Sequence, residues 1–541
     1  MTGKGIAHQH EYLPGWPLWP ALGVAMVLLL PLAALAIGDR SSPEQAFTGP
    51  PSPAVGVAGR PAFPWTSFAA SLAVSAAAAS VAVIVGGLVA AALELTDLPA
   101  RSLWATAMLI AFASPSAVWA LAQVYCYGSS GLVDRWLGDT WRPWLTQLDA
   151  GHFTSSVLVL GQMYAPLAML LIGRGLARLP QSGWDAARLL LPPWRRGRWL
   201  AGAVRPEAAA AWLLAFALSL GNFSVPHVLQ CRLFPIEVYL RLTNYLDRGG
   251  ASRSALALLS VALFAVAVLA FVERRRQYVT ARSETAAQRI ELGRRAWLVA
   301  AALAGYLAIT VVLPVSAMVV ECRSLPKFLA AARDAAPETA NTLRTALLAA
   351  ALALLAATVV GRAAARRKSL ALDFLSLLPI GVPALVLGLA YSQFYNRDWP
   401  VDLKALGNTN ALVVLALTAR AWPFAARAMA SGERRIAGEW RESAWLSGLG
   451  RWRRAWWIDL PLLADHALAA VLIGYVLTVG EVEISQLLCA PGQGTLALRL
   501  FTFMHFGPVH VAASLALMQL AVALLPVLAY FLLTNRCLEV V

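Results

Sequence analysis

Apolar runs of about 18 residues or more recur along the chain, separated by short polar or basic stretches. A helix rising about 1.5 Å per residue needs roughly that length to cross about 30 Å of hydrocarbon. The runs lie near 17–38, 66–93, 103–126, 154–173, 207–229, 252–272, 297–320, 341–361, 370–395, 410–430, 464–488 and 511–534. They predict an all-α integral membrane protein of about 12 transmembrane helices. The first run follows "MTGKGIAHQHEYLPGWPLWP". That long, Pro-rich and weakly basic lead reads as the approach to an uncleaved span rather than as a cleaved signal.

The intervening stretches differ in charge. Segment 174–206 carries Arg174, Arg178, Arg188, Arg195, Arg196, Arg198 and Arg205. Segment 273–296 opens "ERRRQYV" and closes on "GRR", 362–368 reads "RAAARRK", and 431–461 contains "ERR" and "RWRR". All four fall on one side when both termini are cytoplasmic, while loops 39–65 and 397–409 mix signs or are nearly neutral. The positive-inside rule therefore predicts a multi-pass protein of the cell (inner) membrane with both termini in the cytoplasm. Composition agrees: 59% of residues are hydrophobic and 13% charged, too apolar for a soluble chain to cover its own surface. The net charge of +15 is spent on these loops, leaving no surface suited to nucleic acid. Cys126, Cys231, Cys322, Cys489 and Cys537 form no CxxC pair, so neither a disulfide framework nor a zinc site is expected.

The longest polar tract after a span, 273–295, divides the chain into residues 1–272 and 296–541, each with six runs. The two parts look related. Pro166 and Pro423 are 257 apart, as are Asp185-Ala186-Ala187 and Glu442-Ser443-Ala444. "WRR" recurs at Trp194 and Trp452, 258 apart, and Gly221 and Gly480 are 259 apart. "PSAVWALA" at Pro115 resembles "PALVLGLA" at Pro383, 268 further on. Several pairs in one order at nearly one offset point to duplication, and since both parts enter the membrane from the same side the repeat is parallel.

The stretch "ESAWLSGLGRWRRAWWIDLPLL" at 442–463 has a helix-forming start with small residues, then Gly448 and Gly450 for a change of direction. A Trp/Arg-rich interfacial segment follows, and Pro461 stands in the first turn of the next span. Two short helices along the cytoplasmic face, rigidly joined to a span, are equally an anchored interfacial loop or an element that transmits a push. The pattern Glu442-Ser443-Ala444, Gly448, then Ile458-Asp459-Leu460-Pro461 resembles the EAA loop of ABC-transporter permeases of the binding-protein-dependent import class. The spacing matches, with Ser443 replacing an alanine. Over most of its length the chain is similar to fused double permeases of the iron(III)/thiamine type.

The resemblance implies two six-span parallel halves, each with a cytoplasmic coupling loop. Loop 431–461 would dock on a cytoplasmic ABC ATPase dimer through Glu442, Ser443, Ala444, Gly448, Ile458, Leu460 and Pro461. The first copy, 174–206, keeps Asp185, Ala186 and Ala187 but has Leu191 where glycine is expected and no I-x-L-P. Either it couples weakly or its path around Pro192-Pro193 differs. The resemblance further implies an extracytoplasmic solute-binding protein and a translocation path for a solute such as ferric iron or thiamine.

Within the apolar runs, Arg420, Glu481 and Glu483 stand out, because an intramembrane ionisable group is a functional candidate by default. An Arg420–Glu481 pair would neutralise two charges, either to hold helices in register or to line a path. Their first-half counterparts are Met163 and Asn222, so the path would be asymmetric. Pro115 and Pro383 are expected to kink spans around a cavity. His505 and His510 precede the last run as ordinary loop residues.

The sequence holds no GxxxxGK[ST], HExxH or GxSxG motif, so ATP hydrolysis is expected in a separate subunit and no catalytic residue, cofactor or resident metal is expected here. The alternative is a twelve-span secondary transporter driven by an ion gradient. A membrane-embedded transferase or hydrolase would require a clustered His/Asp/Glu site that the sequence does not display.

Overall fold

The computed structural model describes residues 18–37, 63–138, 153–277, 289–366, 378–397, 403–436 and 455–534, and the single positions 440, 443, 446, 447, 450 and 453. The N-terminal part forms α1 (Leu18–Ile37), α2 (Trp65–Leu95), α3 (Arg101–Ala113), α4 (Ser116–Tyr127), α5 (Leu132–Leu137) and α6 (Phe153–Leu176). It continues through α7 (Gln181–Leu190), α8 (Pro193–Ala203), α9 (Arg205–Leu220), α10 (Ser224–Val228), α11 (Phe234–Thr243) and α12 (Arg248–Gln277). The C-terminal part forms α13 (Ala296–Leu307), α14 (Leu313–Glu321), α15 (Leu325–Asp334), α16 (Ala336–Arg366) and α17 (Ala384–Tyr395). It ends with α18 (Ala411–Arg435), α19 (Leu460–Val479), α20 (Glu483–Leu488), α21 (Leu496–Phe506) and α22 (Val509–Thr534).

By length and composition, eight helices among the described residues can cross a membrane, or ten if each of two bent pairs counts as one span. The sequence pattern gave about twelve. Run 103–126 is split into α3 and α4, which with α5 bend by 99°, and run 207–229 stops at Leu220 and restarts in α10. Residues 370–377 lie outside the described part, so the run at 370–395 is seen only from the 3₁₀ turn Leu378–Ile380 through α17.

Proline explains where two of these helices start. Pro115 (φ −56°, ψ 134°) and Pro383 (φ −59°, ψ 141°) are both extended and immediately precede α4 and α17. A prolyl ring cannot donate the helical hydrogen bond and clashes with the preceding turn. At these two positions the expected kink is a break, with a helix restarting inside the protein.

The tightest packing places α2 along α6 and α16 along α18. A side chain at Gly86 would meet the Ala165 carbonyl oxygen at 2.3 Å, and one at Gly361 would meet that of Ala426 at 2.9 Å. Small residues let helix backbones approach where lipid supplies no hydrophobic contrast.

The two parts also exchange helices. The N-terminal α1 packs on α17 and α16, and Tyr391 donates from its hydroxyl to the Leu28 carbonyl at 3.0 Å. Reciprocally, the span 293–321 packs on α4. Its middle is a π-helical turn, Ala308–Val312, whose widened ring redirects carbonyls outward. Gln123 Nε2 donates to the Thr310 carbonyl at 3.2 Å and the Tyr127 hydroxyl to that of Ile309 at 2.6 Å. At the end of the 273–295 tract, Ile290 N donates to the Leu95 carbonyl at 2.7 Å and Leu292 N to Asp97 Oδ1 at 2.9 Å. The end of the tract and the turn after α2 thus lie together.

Candidate functional site

Two places gather the polar residues that an apolar bundle would not keep by default. The first lies between the two parts. Helix α9 ends at Leu220 and gives way to Gly221, Asn222 and α10, while α19 ends at Val479 and gives way to Gly480, Glu481 and α20. Each of these breaks abuts the proline break of the opposite part. A Cβ on Gly221 would lie 3.1 Å from Pro383 Cβ, and one on Gly480 would lie 2.4 Å from Pro115 Cβ. The four positions paired by sequence offset therefore meet crosswise.

The predicted ion pair is present, with Arg420 Nε 2.7 Å from Glu481 Oε2. Glu483 takes a different role. Its Oε1 accepts from Phe223 N at 3.2 Å, Ser224 N at 3.2 Å and Ser224 Oγ at 3.1 Å. A carboxylate from the C-terminal part thus caps the first turn of α10 in the N-terminal part, satisfying donors that a helix start leaves free. Asn222 Oδ1 accepts from Val225 N at 2.9 Å, and its Nδ2 donates to the Tyr164 hydroxyl at 3.2 Å. Tyr164 in turn donates to the Leu218 carbonyl at 3.3 Å and lies close enough to interact electrostatically with Arg420, Glu481 and Glu483. Sequence offset had named Met163 as the partner position. Met163 is packed in an apolar cluster, and the polar group at that level is its neighbour Tyr164. Nothing in the run "YAPLAML" singled it out.

His505 meets His227 of the other part, ring centroids 4.9 Å apart, with Phe501 packed against both. Among the described residues, no group of three or more His, Cys, Asp or Glu is placed to hold a metal ion.

The second place is the basic face. In the first loop, α7 carries Asp185, Ala186 and Ala187. Trp184 and Ala187 are buried, Trp184 lying 6.3 Å from Trp199 of α8, whereas Leu189 and Leu190 are 86% and 79% exposed. The turn that follows needs no glycine. Leu191 (φ −111°) and Pro192 (φ −66°) are both extended at negative φ, so leucine stands without strain where the second loop has Gly448.

In the second loop, Glu442, Ala444 and Gly448 lie outside the described residues. Ser443 is helical and exposed, with Ser447 N donating to its carbonyl at 3.0 Å. Ile458 and Asp459 end a π-helical turn that runs into Leu460 and Pro461 at the start of α19. Asp459 is buried and held by a residue the sequence reading had counted only toward topology: Arg362, at the end of α16. Arg362 Nε lies 2.6 Å from Glu433 Oε1 of α18, and its Nη2 lies 3.4 Å from Asp459 Oδ2. One guanidinium ties together both ends of the 431–461 loop and a third helix.

No family model matches the chain. It is 24% identical over 154 residues to proteins of Salmonella typhimurium and Salmonella choleraesuis named as the 2-aminoethylphosphonate transport system permease protein PhnV. The match takes in 28% of this chain and spans 57% of the relatives' length. The chain is a multi-span helical membrane protein with weak similarity to a transport-system permease.

Proposed function

We propose that the chain is the transmembrane permease subunit of an ABC importer, with two six-span halves (1–272 and 296–541) fused through the 273–295 tract. The halves form a path for a solute delivered by an extracytoplasmic binding protein. The 174–206 and 431–461 loops take their motion from a separate ATPase dimer, and the termini lie in the cytoplasm. The observation that carries this reading is the linkage at Asp459. The residue inside the I-x-L-P segment is buried against Arg362 and Glu433, so displacement of the loop moves α16, α18 and α19 as one body. The crosswise contacts of Gly221 with Pro383 and Gly480 with Pro115 support the duplication. The family resemblance names ferric iron or thiamine as solutes and the Salmonella relatives name 2-aminoethylphosphonate, which makes these three the first to assay.

The second reading, a twelve-span secondary transporter, is favoured by the interior acids Glu481 and Glu483, since ion coupling uses such groups. Reconstitution separates the two. The permease reading expects the chain to co-purify with an ATPase subunit and to raise its ATP turnover in vesicles, and expects Gly448→Trp to abolish both effects. Uptake by vesicles holding this polypeptide alone, driven by an ion gradient and indifferent to Gly448→Trp, would overturn it.

A further inference from the structure

Helix α8 exposes side chains that suit neither a packed bundle nor water. Trp194 is 66% exposed, and the Arg195 guanidinium lies over its ring, 4.8 Å from the centroid. Arg196 is occupied, its Nε donating to the Leu191 carbonyl at 2.7 Å across the turn that opens the helix. Arg195 and Arg198 are both exposed and make no ion pair among the described residues. They border an open cavity of about 410 Å³ whose lining is Leu191, Trp194, Arg195, Arg198 and Trp199. Among the described residues that lining holds two guanidinium groups, two indoles and no carboxylate.

The place of α8 in the fold decides what can reach this cavity. Its C-terminal end joins α9 through Val204 alone, with a bend of 64°. With α9 upright, that bend lays α8 closer to the membrane plane than to its normal, and the helix is only about 16 Å long. It therefore stays at headgroup depth, where an exposed tryptophan is favourable. Arg195 and Arg198 stand three apart and share a helix face, and like charges held that close are unfavourable until an anion lies between them. Guanidinium forks pair well with phosphate oxygens, and the indoles with Leu191 offer apolar walls to the glycerol and upper acyl chain. The pattern W-R-R-x-x-W recurs in the second loop, where Trp452 and Trp457 stand 258 beyond Trp194 and Trp199. Trp457 is 78% exposed just before α19. The same letters before a span in both parts fit one shared neighbour, the bilayer.

We infer that this cavity binds the phosphodiester headgroup of an anionic phospholipid in the leaflet on the basic side, held by Arg195 and Arg198 between Trp194 and Trp199. The inference goes beyond the permease reading and does not depend on it. A headgroup seated there pins the first loop to the membrane through α8. A soluble subunit fits less well, because it would approach from the aqueous side, whereas the one-residue joint to α9 holds the cavity at the bilayer border.

The test reads lipid retention by native mass spectrometry on the full chain, in neutral detergent with phosphatidylglycerol and phosphatidylcholine at equal concentration. The parent is expected to retain phosphatidylglycerol in preference. Arg195→Gln combined with Arg198→Gln is expected to lose one bound phosphatidylglycerol, the affinity for it falling about tenfold or more. Arg294→Gln combined with Arg295→Gln, an equal loss of charge in the basic 273–296 segment, is expected to lose none. All four arginines are exposed, so neither change disturbs packing. Equal retention of the two lipids, an unchanged count in the first variant, or the same loss from both variants overturns the inference. So does a preference abolished by millimolar inorganic phosphate, which would mark a site for a soluble anion. Loss of the same lipid when an ATPase subunit binds would assign the cavity to the motor and overturn it as well.

Discussion

Arg362 and Arg420 differ in how openly the sequence shows them. Arg420 lies deep in an apolar run, where a charge is costly enough to require a reason, and its partner Glu481 lies, with Glu483, deep in another. Arg362 belongs to "GRAAARRK", where any arginine satisfies the positive-inside rule, so its particular role was invisible. The structure distinguishes it by burial: the Glu433 side chain is fully enclosed and that of Arg362 is 16% exposed. Removing one member of such a cluster leaves buried carboxylates uncompensated, at about 3–5 kcal/mol. Arg362→Gln is therefore expected to lower the unfolding midpoint of the purified chain markedly, and Arg362→Lys, which keeps the charge but loses the fork, to fall between. Midpoints unchanged in both variants would mean that the loop end is not clamped there.

At the scale of elements, apolar periodicity located most helices to within a few residues, because length and composition alone decide whether a helix can span. Breaks were harder to read. Proline is compatible with a kink inside a continuous helix, as Pro166 in α6 and Pro423 in α18 show. At Pro115 and Pro383 the chain is extended and a glycine of the opposite part, Gly480 or Gly221, is packed against the ring, a contact that sequence position does not announce. Sequence offsets had paired Pro115 with Pro383 and Gly221 with Gly480, but not each proline with the opposite glycine. The close approach has a graded consequence. A methyl at Gly480 would overlap Pro115 Cβ at 2.4 Å, whereas one at Gly221 meets Pro383 at 3.1 Å and needs a shift of only tenths of an ångström. Gly480→Ala is expected to cost about 1–3 kcal/mol, the usual range for overpacking, and Gly221→Ala clearly less. Paired thermal or denaturant unfolding of the two variants checks the order, and a reversed order would mean that these junctions are not close-packed in solution.

For the whole molecule, the permease reading asks the two basic loops to meet one mechanical demand with different sequences. At the exit of the second, Asp459 is buried beside Arg362. The first turns through Leu191-Pro192 and anchors its helix by packing Trp184 on Trp199. Departure from the family pattern at Leu191 was legible in the sequence, but not its outcome, because a turn at negative φ accepts leucine as readily as glycine. The anchoring leaves Leu189 and Leu190 projecting from the end of α7, at 86% and 79% exposure, on the face to which the basic segments assign the cytoplasm. Two adjacent leucines in water are unfavourable by about 25 cal/mol for each Å² left uncovered, and the permease reading supplies a cover in the ATPase subunit. Replacing both with aspartate is expected to leave the unfolding midpoint of the isolated chain within about 0.5 kcal/mol of the parent, since neither side chain is packed. The same change is expected to reduce capture of the ATPase subunit about tenfold or more, by removing apolar burial and placing two charges in the contact. Capture at the parental level, with the chain equally stable, would mean that the N-terminal loop does not engage the motor and that the thrust enters through the 431–461 loop alone.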